Sequence, residues 1–221
     1  MGNMMTDLST IWQAMGSGDS WELSQAVRLQ GFWLVGLVLT IVGGLVFFGL
    51  YQISFVEKHL EKTLMVYSYL IIAAIIFVEV IRRFVFKEQV PWSTTVPGYL
   101  FLIMTWVGCA YNVRKRTHLA FMEFRTNMPR RAQLACLALD FFLWFVFSWI
   151  VVVTASRVTM NSAANFQILP GTDNVLTWWF LITVPLTFMM LVARALQNFR
   201  DDLRNFRSGA PLIGTAVIGS D

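Results

Sequence analysis

The stretch PWSTTVPGYLFLIMTWVGCAYNVRKRTH, residues 91–118, decides the fold. From Pro97 to Val113 it carries no charged residue. That is a membrane span slightly short of the roughly 20 residues that cross a hydrocarbon core, and it can be extended at both ends. Trp92 stands at one boundary, where an amphipathic indole prefers to lie between lipid and water. Arg114, Lys115 and Arg116 stand at the other, and positive charge that dense beside a span is retained in the cytoplasm. One segment therefore predicts both a membrane address and an orientation. It contains no catalytic apparatus.

Composition extends this reading to the whole chain. Hydrophobic residues make up 57% and charged residues 14%, too few charges for the surface of a soluble domain of this length. The net charge of +4 is concentrated at span ends, which disfavours nucleic acid as a partner. Cys109 and Cys136 both fall in apolar runs, so neither a disulfide framework nor a metal site is indicated, and no cofactor is implied. Residues 1–27 hold no Lys or Arg, so the basic start of a cleavable signal peptide is missing. The fold class is an all-α polytopic membrane protein.

Outward from the opening stretch, four more spans are predicted. Residues 31–56 form a first apolar run in which Thr40 and Gly44 lie four apart, a spacing that admits close helix approach. Ahead of it, Leu8, Ile11, Trp12 and Met15 share one face of a short amphipathic helix. Gly16, Ser17 and Gly18 then break that helix, and Ser20 can cap the next. Residues 57–62 read as a polar hinge, although Glu57–Glu61 and Lys58–Lys62 keep helical spacing. The second span covers about 63–84. After the third, residues 119–128 read as an interfacial helix stopped by Pro129. Arg130 and Arg131 anchor a fourth span at about 132–155, a turn-rich connection ends at Pro170-Gly171, and a fifth span at about 175–193 is kinked by Pro185. The arginines from Arg194 to Arg207 read as a solvated helical end, and 208–221 as a flexible tail.

Lys and Arg counts set the topology. The segments around 57–62, 114–131 and 194–207 carry twelve, the opposing segments five. With five spans this puts the N-terminus in the periplasm and the C-terminus in the cytoplasm.

From Leu60 onward the chain resembles a known family. LEKTLMVYSYLIIAAIIFVEVIRRFVF, then VPW, YLFLIMTWVGCAYNVRKRTHL and MPRR are similar to the small membrane subunit (DctQ-like, Q subunit) of tripartite ATP-independent periplasmic (TRAP) transporters. The marks are Arg83 with Phe84 and Phe86, then Trp92, then Gly108-Cys109-Ala110-Tyr111 before a basic turn, His118 and Pro129. Two features depart from that pattern. Ser93, Thr94 and Thr95 stand where relatives carry an acidic residue, and 31–56 adds a span to a four-span core. The expected organisation is therefore a leader and additional helix over 1–59, a four-helix domain over 60–207, and the tail.

The resemblance implies a non-enzymatic scaffold subunit in a bacterial inner membrane. Its partners would be a large membrane subunit carrying the substrate and sodium sites, a periplasmic binding protein delivering an organic anion (carboxylate or sulfonate), and membrane lipids. Candidate binding-protein contacts are Arg82, Arg83 and Trp92. Candidate subunit or lipid contacts are Glu79, Arg114, His118 and Asp140. An intramembrane acid is by default a candidate ion or proton site. Here the simpler expectation is ion pairing, of Glu79 with Arg82 or Arg83, and of Asp140 with a basic residue of a neighbouring subunit. Three other classes compete: a membrane anchor of a redox enzyme binding haem or quinone, an independent small transporter or channel, and a bare structural or signalling membrane protein. His59 and His118 both lie at span ends, which disfavours a bis-histidine haem. No repeat with paired broken helices is visible, which disfavours a substrate site in this chain.

Overall fold

A lipid core offers no water to backbone N–H and C=O groups, so the apolar runs must satisfy them as helices. The computed structural model describes residues 4–116, 125 and 127–212. Its helices are α1 (Met4–Ser17), α2 (Ser20–Ala26), α3 (Phe32–Leu50), α4 (Ser54–Ile81), α5 (Val96–Lys115), α6 (Arg130–Ala164), α7 (Trp178–Leu181) and α8 (Thr183–Ser208). A π-helical turn, Arg82–Phe86, ends α4, and a 3-10 turn, Pro91–Thr94, precedes α5. Five described stretches are long and apolar enough to cross a membrane: Phe32–Leu50, Ser54–Phe86, Pro91–Lys115, Arg130–Ala164 and Trp178–Ser208. The protein is an all-α, multi-pass membrane protein. The expected interfacial helix at 119–128 falls almost wholly outside the described residues, as does His118 and the tail beyond 212.

The bundle is built around α8, which packs against α3, α5 and α6, while α4 leans on α5 and α2 on α6. Half of the most apolar window of the α7–α8 stretch is buried, against 6% of that of α4. Phe188, Leu191 and Ala195 of α8 meet Ala110 and Val113 of α5 and Val152 of α6 in one core cluster. The fifth span is broken rather than simply kinked: α7 stops at Leu181 and α8 starts at Thr183. Pro185 explains the position, because its ring cannot bond to the carbonyl four residues back, at Leu181.

Three boundaries differ from the sequence reading for identifiable reasons. Residues 57–62 are no hinge; they are early turns of α4, whose N-terminus reaches back to Ser54. The fourth span runs on to Ala164, because its polar far end is held by the leader. There Arg157 donates from Nε to the Val27 carbonyl at 2.7 Å, and Arg28 donates to Asn161 Oδ1 at 2.8 Å. In α1 the buried face is Ile11 and Ala14, and Trp12 and Met15 point outward. The predicted stripe is thus divided: Ile11 and half-buried Leu8 face the protein, Ile11 in one cluster with Ala26, Val27, Phe32 and Val153, whereas Trp12 and Met15 face away from it.

The small residues of α3 are used within the chain. Thr40 is fully buried and its hydroxyl donates to the Gly36 carbonyl at 2.7 Å. A Cβ at Gly36 would lie 2.2 Å from Val153 Cγ2 of α6, and one at Gly44 would lie 2.8 Å from Val192 Cγ1 of α8. At Gly49 nothing comes within 4 Å. Leucine at Gly36 is therefore expected to cost about 1–3 kcal/mol through overpacking, read as a lower midpoint of thermal unfolding in detergent. Leucine at Gly49 serves as the control and should leave the midpoint in place; equal shifts would contradict this packing.

Candidate functional site

Polar side chains gather at the two rims of the bundle, and the basic rim is the more ordered chemically. Arg194 extends from α8 and is 1% exposed. Its Nε and Nη2 donate to the two carboxylate oxygens of Glu61 on α4, at 2.7 and 2.9 Å. Its Nη1 donates to Gln197 Oε1 at 2.8 Å, and Nη2 also reaches the Glu57 carbonyl at 3.1 Å. The Tyr51 ring, at the end of α3, lies 3.7 Å below the guanidinium carbon, and its hydroxyl donates to Glu61 Oε1 at 2.8 Å. Burial, and then the adjacent Glu61 charge, push the Tyr51 phenol above its ordinary range, so it stays a donor. A fork-to-fork pair of this kind satisfies both charges in a site neither could occupy alone.

A second ring of bonds continues toward the end of α8. Arg114 of α5 donates to Asn198 Oδ1 at 2.9 Å and to Asp201 Oδ2 at 2.8 Å, and lies 3.6 Å from Glu57. Asn198 Nδ2 returns a bond to the Val113 carbonyl at 2.6 Å. Arg116 pairs with the buried Asp202. At the start of α6, Arg130 donates to the carbonyls of Gly209 and Ala210 at 3.0 and 2.9 Å, completing orphan acceptors after the end of α8. The arginines read as a solvated end are thus divided. Arg194 is the most deeply buried cation in the chain's described part, whereas Arg200, Arg204 and Arg207 are exposed.

The opposite rim is more open. Arg82 bonds Glu88 at 3.3 Å. The expected pairing of Glu79 with Arg82 or Arg83 does not form: Glu79 Oε1 and Arg82 Nε are buried without hydrogen-bond partners among the described residues. Arg82 turns instead to Glu88, which the π turn brings back by folding the Glu88 amide onto the Arg82 carbonyl. Arg83 is exposed within the π turn, as are the rings of Phe84 and Phe86. Trp92 is 39% exposed. The turn that carries it sits against Gly171 of the α6–α7 connection, where a Cβ would come within 2.5 Å of the Pro91 carbonyl carbon.

Asp140 is also placed differently from expectation. Its carboxylate takes both Nη groups of Arg125, a residue of the same chain just before α6, so no neighbouring subunit is needed to neutralise it. Arg114, by contrast, lies in the α4–α5–α8 network, far from Arg82, Arg83 and Trp92 at the other rim. The sequence candidates therefore separate into two groups. Arg194, Glu61 and Tyr51 escaped sequence reasoning, although a signal existed. Glu57 and Glu61 are four apart, and Arg194, Asn198, Asp201 and Asn205 recur at three and four residues, a polar stripe on α8.

The family model for "Tripartite ATP-independent periplasmic transporters, DctQ component" matches residues 72–205, more than half of the chain. The chain belongs to the DctQ family. This DctQ protein is also similar to the sialic acid TRAP transporter small permease protein SiaQ of Vibrio cholerae. The two are 23% identical over 164 residues, covering 72% of this chain and 92% of the relative. As a DctQ protein it is a small permease component of a TRAP transporter, a transporter subunit. The family match starts inside α4 and so leaves α1, α2 and α3 outside it; Arg114, Arg116, Arg194, Asn198, Asp201 and Asp202 lie within it, whereas Tyr51, Glu57 and Glu61 do not.

Removing one member of the buried pair in this DctQ protein should be far worse than removing both. Arg194→Met leaves Glu61 charged and alone, an effect of about 3–5 kcal/mol for a buried pair. The double variant Arg194→Met with Glu61→Leu should recover most of that loss. Yield and thermal midpoint of the purified protein report it, and a double variant no better than the single would contradict the pairing.

Proposed function

We propose that this DctQ protein is the stationary, non-catalytic scaffold of a sodium-coupled TRAP transporter. That transporter imports an organic anion, a carboxylate or sulfonate, delivered by a periplasmic binding protein. The observation carrying this reading is how the polar groups of the bundle are engaged. Arg194, Arg114, Arg116 and Arg125 are each held by acids of the same chain. What the helices offer outward is apolar: Tyr67, Leu70, Phe77 and Val80 of α4 and Leu139, Phe142 and Leu143 of α6 are all exposed. Such walls suit a helical partner in lipid, where packing rather than polar chemistry holds helices together. The substrate and sodium sites then belong to the large membrane subunit, for which the outward face of α4 is the docking wall. The relative from Vibrio cholerae is named for sialic acid, itself a carboxylic acid, which supports the anion class.

The scaffold lies in the bacterial inner membrane. The twelve Lys and Arg of the 57–62, 114–131 and 194–207 segments favour a cytoplasmic basic rim, with the N-terminus in the periplasm. The opposite rim, with Arg82, Arg83 and Trp92, then faces the binding protein. Arg83, exposed and without an acidic partner among the described residues, is the contact for an acidic edge of that protein, and Glu79 and Arg82 support the turn that presents it.

A tagged chain should co-purify with a many-span membrane subunit, and this chain reconstituted alone should show no uptake. Sodium-driven uptake by the lone chain would overturn the scaffold reading. Arg83→Glu should raise the binding-protein concentration for half-maximal uptake about tenfold, as expected for loss of an interfacial charge contact, while co-purification with the large subunit is unchanged. A normal concentration dependence would remove Arg83 from the docking surface.

A further inference from the structure

We propose that the basic half of the bundle carries a site for one anionic phospholipid, seated in the trough between α4, α5 and α6. The trough has a volume of about 720 Å³ and is lined by Met65, Tyr69, Met104, Gly108, Cys109 and Trp144, among others. That volume falls among those of ligand pockets, about 300–1,000 Å³. Beyond its lining, toward the basic rim, α4 and α5 each carry a lysine, Lys62 three residues before Met65 and Lys115 two after Val113. Lys62 shares a face of α4 with Met65, Val66 and Tyr69, three, four and seven residues further on. Lys115 follows Gly108 and Asn112 on α5 at seven and three residues. Both are exposed. Neither has an acidic partner among the described residues; Lys115 only overlies the Tyr111 ring at 5.9 Å. Their state contrasts with Arg114, Arg116 and Arg194 nearby, each of which is paired.

Length decides between a lipid and a partner helix as occupant. From Met104 to Val113 the trough follows about 14 Å of helix axis at 1.5 Å per residue. A crossing helix needs a groove of roughly 30 Å, whereas one leaflet is about half that depth. An apolar trough about one leaflet deep, with lysines beyond its basic end and no acid among its described lining residues, is complementary to an acyl chain below a phosphate. The pairing joins hydrophobic burial to charge in one ligand, as membrane anchoring by two signals does. Gly108 keeps the trough open: the Cβ it lacks would point to 3.3 Å from Met65 Sδ, and a longer side chain would fill the space. The site uses this chain's own residues and does not depend on the transporter reading.

The test is native mass spectrometry of the full chain released from nanodiscs containing equal phosphatidylglycerol and phosphatidylcholine. The expected result is one retained phosphatidylglycerol, preferred about tenfold and not displaced by millimolar inorganic phosphate. Lys62→Ala with Lys115→Ala should abolish the preference, and Lys62→Arg with Lys115→Arg should keep it. Gly108→Leu should reduce retention of both lipids; circular dichroism and a single gel-filtration peak confirm that each variant is folded. Equal retention of the two lipids by the natural sequence, displacement by free phosphate, or an undiminished preference in the double alanine variant would each overturn the proposal.

Discussion

A guanidinium buried inside a membrane bundle dictates what surrounds it. Arg194 cannot be left bare in an apolar core, so α4 must deliver Glu61 and α3 must end where Tyr51 can cover the pair. α3 and α8 also pack along their lengths, and this cluster adds α4 to them, fixing the three helices in height and rotation at one level. The rest of α4 has slight internal burial and rests mainly on α5, so this contact at its foot is what ties it to the central helix. The net stabilisation by a buried ion pair is small, since desolvation offsets much of the attraction. Its value here lies in position: it holds the foot of α4 on α8, with Glu57, one turn earlier, also within 3.8 Å of the guanidinium.

That constraint also separates two kinds of surface. Inside, charge is matched residue by residue along α8, from Arg194 to Asp202. Outside, the helices show lipid-compatible walls with charges at the ends alone. A subunit built this way resists deformation and offers few polar groups that could track a moving ligand. It suits a fixed support for a neighbour that moves, which is the role proposed for it.

Much of the fold was legible because hydropathy and span length act on every residue of a segment at once. Trp92 and the Arg114–Arg116 cluster bounded α5 to within a few residues, and five spans followed from apolar runs alone. The spacing of Thr40 and Gly44 announced a close helix contact without naming its partner, which proved to lie in the same chain. What hydropathy could not show was the destination of charges. Glu61 and Arg194 looked like solvated ends because each borders an apolar run, and 133 residues separate them. Glu79 looked paired because Arg82 lies three residues on along the helix, but the π turn gives Arg82 another acid, Glu88. Asp140 found Arg125 through a turn that no periodicity foretells.

The contact of Gly171 with Pro91 has a mechanical consequence. Two loops far apart in sequence, one before α5 and one before α7, touch backbone to backbone with no side chain between them. Because the glycine also sits at φ +85, a conformation other residues seldom adopt, neither loop can swing without dragging the other. The turn bearing Trp92 is therefore braced on the connection that leads through the short α7 to the central helix.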